Sequence, residues 1–180
     1  MRTIIAAALL TTAFAGAALG QDKEAEITQA VSPLPEMLRA GATVISYDAK
    51  GMPIVLRQGT NNIICNPNAA GGEGFSVNCY EKAMKAQNDL QHKLRAEGKD
   101  QKAVQAAMAE ARASGKLPTV PMGTASYSRF GKTEAETRVT WRIALPGATS
   151  VSTGLPDKKG ADGDPWLQAA GTPNAHVHIK

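Results

Sequence analysis

Cysteine is almost missing from this chain: Cys65 and Cys79 are the only two among 180 residues. Aromatic residues are nearly as scarce, with two Trp, three Tyr and three Phe, so the core is built from aliphatic side chains. Neither sign of charge dominates, with twenty Lys plus Arg against sixteen Asp plus Glu. That balance lacks the basic excess of a nucleic-acid-binding domain. After residue 20 no apolar run is long enough to span a membrane. The glycines of AGGEGF, residues 70–75, lack both the phosphate-loop spacing and its Lys-Ser/Thr pair, and no Gly-x-Ser-x-Gly elbow occurs. No cofactor is implied, and no strong catalytic motif argues for an enzyme.

The N-terminus supplies a compartment. Arg2 precedes an uncharged run rich in Ala and Leu from Ile4 to Leu19, and Ala18-Leu19-Gly20 places small residues where a signal peptidase reads. The pattern predicts a signal peptide over residues 1–20, cleavage before Gln21, and a periplasmic or secreted protein with no membrane span after cleavage. The remainder, 21–180, has the length of a single domain with a sizeable core.

In an oxidising compartment two cysteines predict a Cys65–Cys79 disulfide. The loop between them is rich in turn formers: Asn66, Pro67, Asn68, Gly71, Gly72 and Gly74. A second reading stays open. Asn78 followed by Glu81 reads as a capping box, which would put Cys79 in the first turn of a helix, where the dipole favours a reactive thiolate.

Residues 21–41 read as a partly ordered lead-in, broken by Ser32-Pro33-Leu34-Pro35, with one helical turn over 35–40. ATVISY (42–47), PIVLR (53–57) and NIIC (62–65) predict a meander, with Asp48-Ala49-Lys50-Gly51 as its first turn. A helix from Asn78 to Gly98 follows. Tyr80, Ala83, Met84, Leu90 and Leu94 share its apolar side, which Gln87 and Gln91 thin. Lys82, Lys85, Asp89, His92 and Lys93 share the charged side, away from the core. A second helix runs from Asp100 to about Ser114, with Val104, Ala107, Met108 and Ala111 inward. The two form a hairpin expected to bury its stripes on the sheet.

Strands return at 123–130 and 136–145. In the latter, Val139, Trp141, Ile143 and Leu145 alternate with Arg138, Thr140, Arg142 and Ala144, predicting a buried apolar face and a wet polar one. A Gly/Pro-rich loop over 146–173 carries the apolar island Trp166-Leu167, and Asn174 to Lys180 is the last strand. The expected class is α+β: an antiparallel or mixed sheet of five or six strands, with the helical hairpin inserted after the third strand and packed on it.

Candidate sites are few. His176 and His178, two apart on a strand, leave the same face and are the candidates for a metal site or for a hydrolase's proton transfer. Spacing nominates no third ligand. Trp166, Asn174 and His176 are the candidate ligand-binding residues, Trp166 either stacking on a ligand or plugging the end of the sheet. Lys82, Lys85 and Lys93 form a basic helix face that suits anionic cell-envelope material.

The early GATVISYDAKGMPIVLRQGTNNIICNPN, the second cysteine and the C-terminal DPWLQAAGTPNAHVHIK together resemble a group of bacterial exported proteins that carry a GTPxAH segment and have no assigned activity. The resemblance spans most of residues 21–180. It implies export and a structural or binding role for GTPNAH. It covers the position of His176, whereas His178 departs from the group. The reading that follows is a non-enzymatic binding or structural module. The alternatives are a small metal-dependent enzyme or hydrolase using His176 and His178, and attachment to an anionic envelope polymer through the basic face.

Overall fold

The computed structural model describes residues 15–67, 74–161 and 163–180, with side chains from residue 22 onward. Residues 1–14, the start of the expected signal peptide, and the turn formers Asn68, Gly71 and Gly72 lie outside these residues. The described residues form an α+β fold around one mixed sheet. Its eight strands are ordered β2-β1-β3-β4-β5-β6-β8-β7, two or three more than the sequence suggests.

The first helix, α1 (Ala15–Ala30), runs through the expected cleavage position. Past it the chain is not a loose lead-in. Ile27, Ala30, Val31 and Leu34 are buried together against Val44, Ile63, Cys65 and Cys79. The short helix α2 (Glu36–Arg39), opened by Pro35, is held by side chains bonded to its backbone carbonyls. Asn61 donates to the Leu38 oxygen at 2.9 Å and Arg57 to the Arg39 oxygen at 2.6 Å. Apolar residues spaced along Ile27-x-x-Ala30-Val31-x-x-Leu34 need a partner, and the sheet supplies it.

Strand β1 (Thr43–Tyr47) turns back antiparallel into the edge strand β2 (Pro53–Arg57). Asp48 closes that turn as expected, its carboxylate accepting from the Lys50 and Met52 amides at 2.8 Å each. The next step departs from a meander. Strand β3 (Ile63–Pro67) crosses to the other side of β1 and pairs with it in parallel.

Strand β4 (Phe75–Glu81) replaces the expected helix start. FSVNCYE alternates, and its Val77, Cys79 and Tyr80 are buried, so period two wins over the capping box. Asn78 is therefore no N-cap. Glu81 instead ties strand ends together, accepting from the Ala125 amide at 2.9 Å and the Asn62 side chain at 3.1 Å. Cys65 sits directly opposite Cys79 on the antiparallel β3–β4 ladder, and the two are joined as a disulfide.

After a 3-10 turn at Lys82–Met84 come α3 (Lys85–Ala96) and α4 (Gln101–Ala113), the latter capped by Asp100. The hairpin thus follows the fourth strand, not the third. Strands β5 (Ala125–Gly131) and β6 (Val139–Ala144) extend the sheet. A short helix α5 (Ser150–Thr153), capped by Thr149, interrupts the Gly/Pro-rich stretch. That stretch also yields edge strand β7 (Trp166–Gln168), with Leu167 fully buried, before β8 (His176–Ile179) pairs with both β6 and β7.

The layering explains the site. Helix α1 covers one face of the sheet at β2, β3 and β4. The hairpin covers the other face, but its stripes do not lie on the sheet. Leu94 is buried with Val104, Met108, Ala111 and Leu117, and Leu90 packs beside them, so α3 and α4 bury their apolar stripes against each other. The polar side of α3 is left to face the sheet. The β6 faces are correspondingly reversed. Trp141 is 43% exposed, while Thr140 is buried and Arg142 half-buried on the hairpin side.

Candidate functional site

Because α3 turns its polar side inward, the space between hairpin and sheet is a polar cleft. It encloses about 1240 Å³, at the upper end of or beyond the ~300–1000 Å³ of common small-molecule sites. Strand register builds the floor. One row across the sheet reads Asn66, Asn78, Ser128, Thr140; the next reads Ile64, Tyr80, Ser126, Arg142, His178, Trp166. Residues facing each other across paired strands share a face, so these rows lie on the hairpin side of the sheet, and Asn78, Ser126 and Arg142 from them line the cleft. The helical wall contributes Gln87, Asn88, Gln91 and Arg95 from α3 and Arg112 from α4. Asn78 donates to the Asn88 oxygen at 3.5 Å, and Arg112 to the Gln87 oxygen at 3.5 Å.

The lining is electropositive. Arg95, Lys99, Arg112, Lys132 and Arg142 face a single acid, Asp100. Burial lowers the pKa of the Arg142 and Arg112 guanidiniums from their usual value, yet a guanidinium keeps its charge. Neither pairs with a carboxylate among the described residues. Arg142 leans over the exposed Phe130 ring, 5.8 Å from its centroid. Cations withdrawn from water are ordinarily paired, so the half-buried Arg142 is open to an anion.

At the closed end, the hairpin sits on a buried polar network. His92 is 3% exposed, contrary to its expected place on the solvent side. Its ring stacks on Tyr47 at 3.6 Å between centroids and lies 3.5 Å from the Asn66 amide. Gly51, at φ +74, allows the β1–β2 turn to approach there; a Cβ would come 2.7 Å from the His92 carbonyl oxygen. The Tyr47 hydroxyl donates to Asp89 at 3.1 Å, and Asp89 pairs with Lys85. Burial raises the pKa of Tyr47 and Tyr80, keeping both phenols neutral.

Burial and, secondarily, Arg95 push the His92 pKa down from 6.5 to about 4. Folded His92 therefore binds fewer protons than unfolded His92 between those values. Its stabilising effect is complete above about pH 6.5 and is lost as pH falls toward 4, by up to about 3 kcal/mol. In urea unfolding between pH 7 and 4, His92→Phe should keep the stacking and flatten this acid slope relative to the parent. An unchanged slope would assign the acid sensitivity elsewhere.

The two histidines expected on one face are there, 6.3 Å apart, but they do not present two free lone pairs. His178 Nδ1 accepts from Trp166 Nε1 at 3.0 Å, which places the imidazole proton on Nε2. Burial and Arg142 push the His178 pKa down to about 4. His176 Nδ1 is 2.8 Å from the Asn174 carbonyl, so it donates and leaves Nε2 as an acceptor, buried and without a partner. Burial, the largest influence, lowers its pKa too. Among the described residues no group of three His, Cys, Asp or Glu converges as a metal site. His176 and Asn174 line the polar cleft, whereas Trp166 packs edge-on against His178. Of the basic face, Lys85 is held by Asp89, leaving Lys82 and Lys93 exposed at either end.

Sequence reasoning missed the cleft itself, including Arg112, Arg142, Asn78, Asn88 and Ser126. The signal was in view: Gln87 and Gln91 interrupting an apolar stripe mark a wall that faces a polar space. Comparison of the chain with protein-family models, with curated proteins and with solved structures gave no match.

Proposed function

We propose that this protein is an exported, non-enzymatic binding module that holds a polar anionic small molecule in the cleft between the helical hairpin and the sheet. The observation that carries this reading is Arg142: a half-buried guanidinium, without a carboxylate among the described residues, on a floor of Asn and Ser side chains. The electropositive wall draws an anion in, and the amides supply directional contacts. The reading moves the expected anionic partner from the exposed lysines of α3 into the cleft, where desolvation strengthens each contact.

The test is calorimetric titration of small carboxylates, sulfate and neutral polar solutes into purified protein. Anions should bind, and Arg142→Met, which keeps the stem, should weaken them about 10- to 100-fold. Equal binding of neutral solutes, or no change in Arg142→Met, would overturn the reading.

Export is supported by the Cys65–Cys79 bridge, since disulfides persist in oxidising compartments. No helix among the described residues is long and apolar enough to cross a membrane. The core residues that α1 contributes, Ile27 and Ala30, follow Gln21, so cleavage there leaves them in place. Mass spectrometry of exported protein should find an N-terminus within a residue or two of Gln21; Met1 retained in a membrane fraction would overturn processing.

A further inference from the structure

The cleft's hydrogen-bonding inventory narrows the anion. A sulfate dianion only accepts hydrogen bonds. The walls offer it donors, but they also present acceptors that such an anion leaves unserved. On the helical wall Gln87 Oε1 already accepts from Arg112 and Asn88 Oδ1 from Asn78, which leaves the carbonyl oxygen and amide nitrogen of Gln91 to a ligand. His176 sits at one end with its Nε2 lone pair unpartnered. A hydroxyl both donates and accepts, so a ligand bearing several hydroxyls matches an amide-and-hydroxyl surface where a bare anion does not. Next to the half-buried Arg142 the cleft also offers an aromatic platform. Phe130 is 48% exposed and lies 5.8 Å from the Arg142 guanidinium carbon. An exposed ring suits the C–H face of a sugar, and a guanidinium beside it suits a carboxylate on the same sugar.

We infer that the ligand is a sugar acid, a polyhydroxylated carboxylate taken as a short oligomer, with its carboxylate on Arg142, a ring face on Phe130 and its hydroxyls on the Gln91 amide and His176 Nε2. The volume of about 1240 Å³ admits more than one sugar ring. This rests on the proposal that the cleft binds an anion and adds that hydroxyls are read as well as charge.

The experiment is calorimetry of purified protein with four probes: digalacturonate, the neutral disaccharide lactose, glutarate and inorganic sulfate. Digalacturonate should bind at least about tenfold more tightly than the other three, a difference that two or more hydrogen bonds supply. Gln91→Leu should weaken digalacturonate at least about fivefold more than it weakens glutarate, and Phe130→Ala should do the same; equal losses for the two probes would overturn the sugar-acid assignment. Thermal melts of each variant confirm that it is folded. Glutarate or sulfate binding as tightly as digalacturonate would overturn the sugar-acid assignment and leave the anion reading standing. Lactose binding as tightly would overturn both. Absence of digalacturonate binding overturns the assignment, and if glutarate and sulfate also fail, the anion reading falls with it.

Discussion

Replacing Cys65 and Cys79 together by Ser should lower the unfolding free energy by about 2–5 kcal/mol. Two effects add. Opening a loop of roughly 15 residues restores entropy to the unfolded chain, worth about 3 kcal/mol in the chain-entropy model. Both cysteines are also 0% exposed, inside the cluster that joins α1 to β1, β3 and β4, so two hydroxyls would be buried beside one acceptor, the Ala30 carbonyl 3.2 Å from Cys79 Sγ, which serves at most one of them. The competing thiolate reading depended on Cys79 lying in the first turn of a helix. It lies mid-strand in β4 instead, where no helix dipole stabilises a thiolate. A buried bridge between facing strands should therefore resist mild reductant in the native state. Urea unfolding of the Ser/Ser protein, alongside alkylation of native parent protein with and without reduction, tests both points. A midpoint equal to that of the parent, or two free thiols in unreduced protein, would sink the structural role.

The strands that alternate plainly were legible in the sequence: β1, β2, β5, β6 and β8 fall where expected, as does α4, whereas α3 starts at Lys85 and not at Asn78. Local pattern failed where tertiary partners set the outcome. FSVNCYE carries both a strand period and a capping signature. Only the presence of β3 and β5 on either side, pairing Cys79 with Cys65 and with Tyr127, decides between them. His92 falls 200° from Leu90 on a helical wheel, so its side was read correctly; what that side faces was not. Once Leu90 and Leu94 pack against α4, the opposite side of α3 is free to meet the sheet. The same fact exposes the Trp141 face of β6 and shelters Arg142. The cleft was illegible because it arises between elements, from which face of a two-sided helix hairpin is turned inward, and no single segment encodes that choice.

Leu34→Ala gives the largest single-site effect expected outside the bridge. On sequence, Leu34 sits between two prolines in a stretch that looks loosely held, and truncation there would be nearly neutral. In the structure it is 1% exposed and buried with Ile27, Ala30 and Val31 against the disulfide. Arg39 fixes the turn by donating to the Leu34 carbonyl at 2.9 Å, which limits how far the backbone can collapse into a cavity. Removing three buried carbons at such a site should cost about 2–5 kcal/mol. Met37, three residues on and 88% exposed, is the control: Met37→Ala should stay within about 0.5 kcal/mol of the parent. Urea unfolding of the two variants measures the contrast, and equal midpoints would mean that the segment after α1 is a tail and not part of the core. Because Leu34 and the bridge belong to one cluster, their effects should not add. In the Ser/Ser background Leu34→Ala should differ from its effect in the parent by about 0.5 kcal/mol or more, as expected for residues that share packing. Strict additivity would place Leu34 and the disulfide in independent parts of the fold.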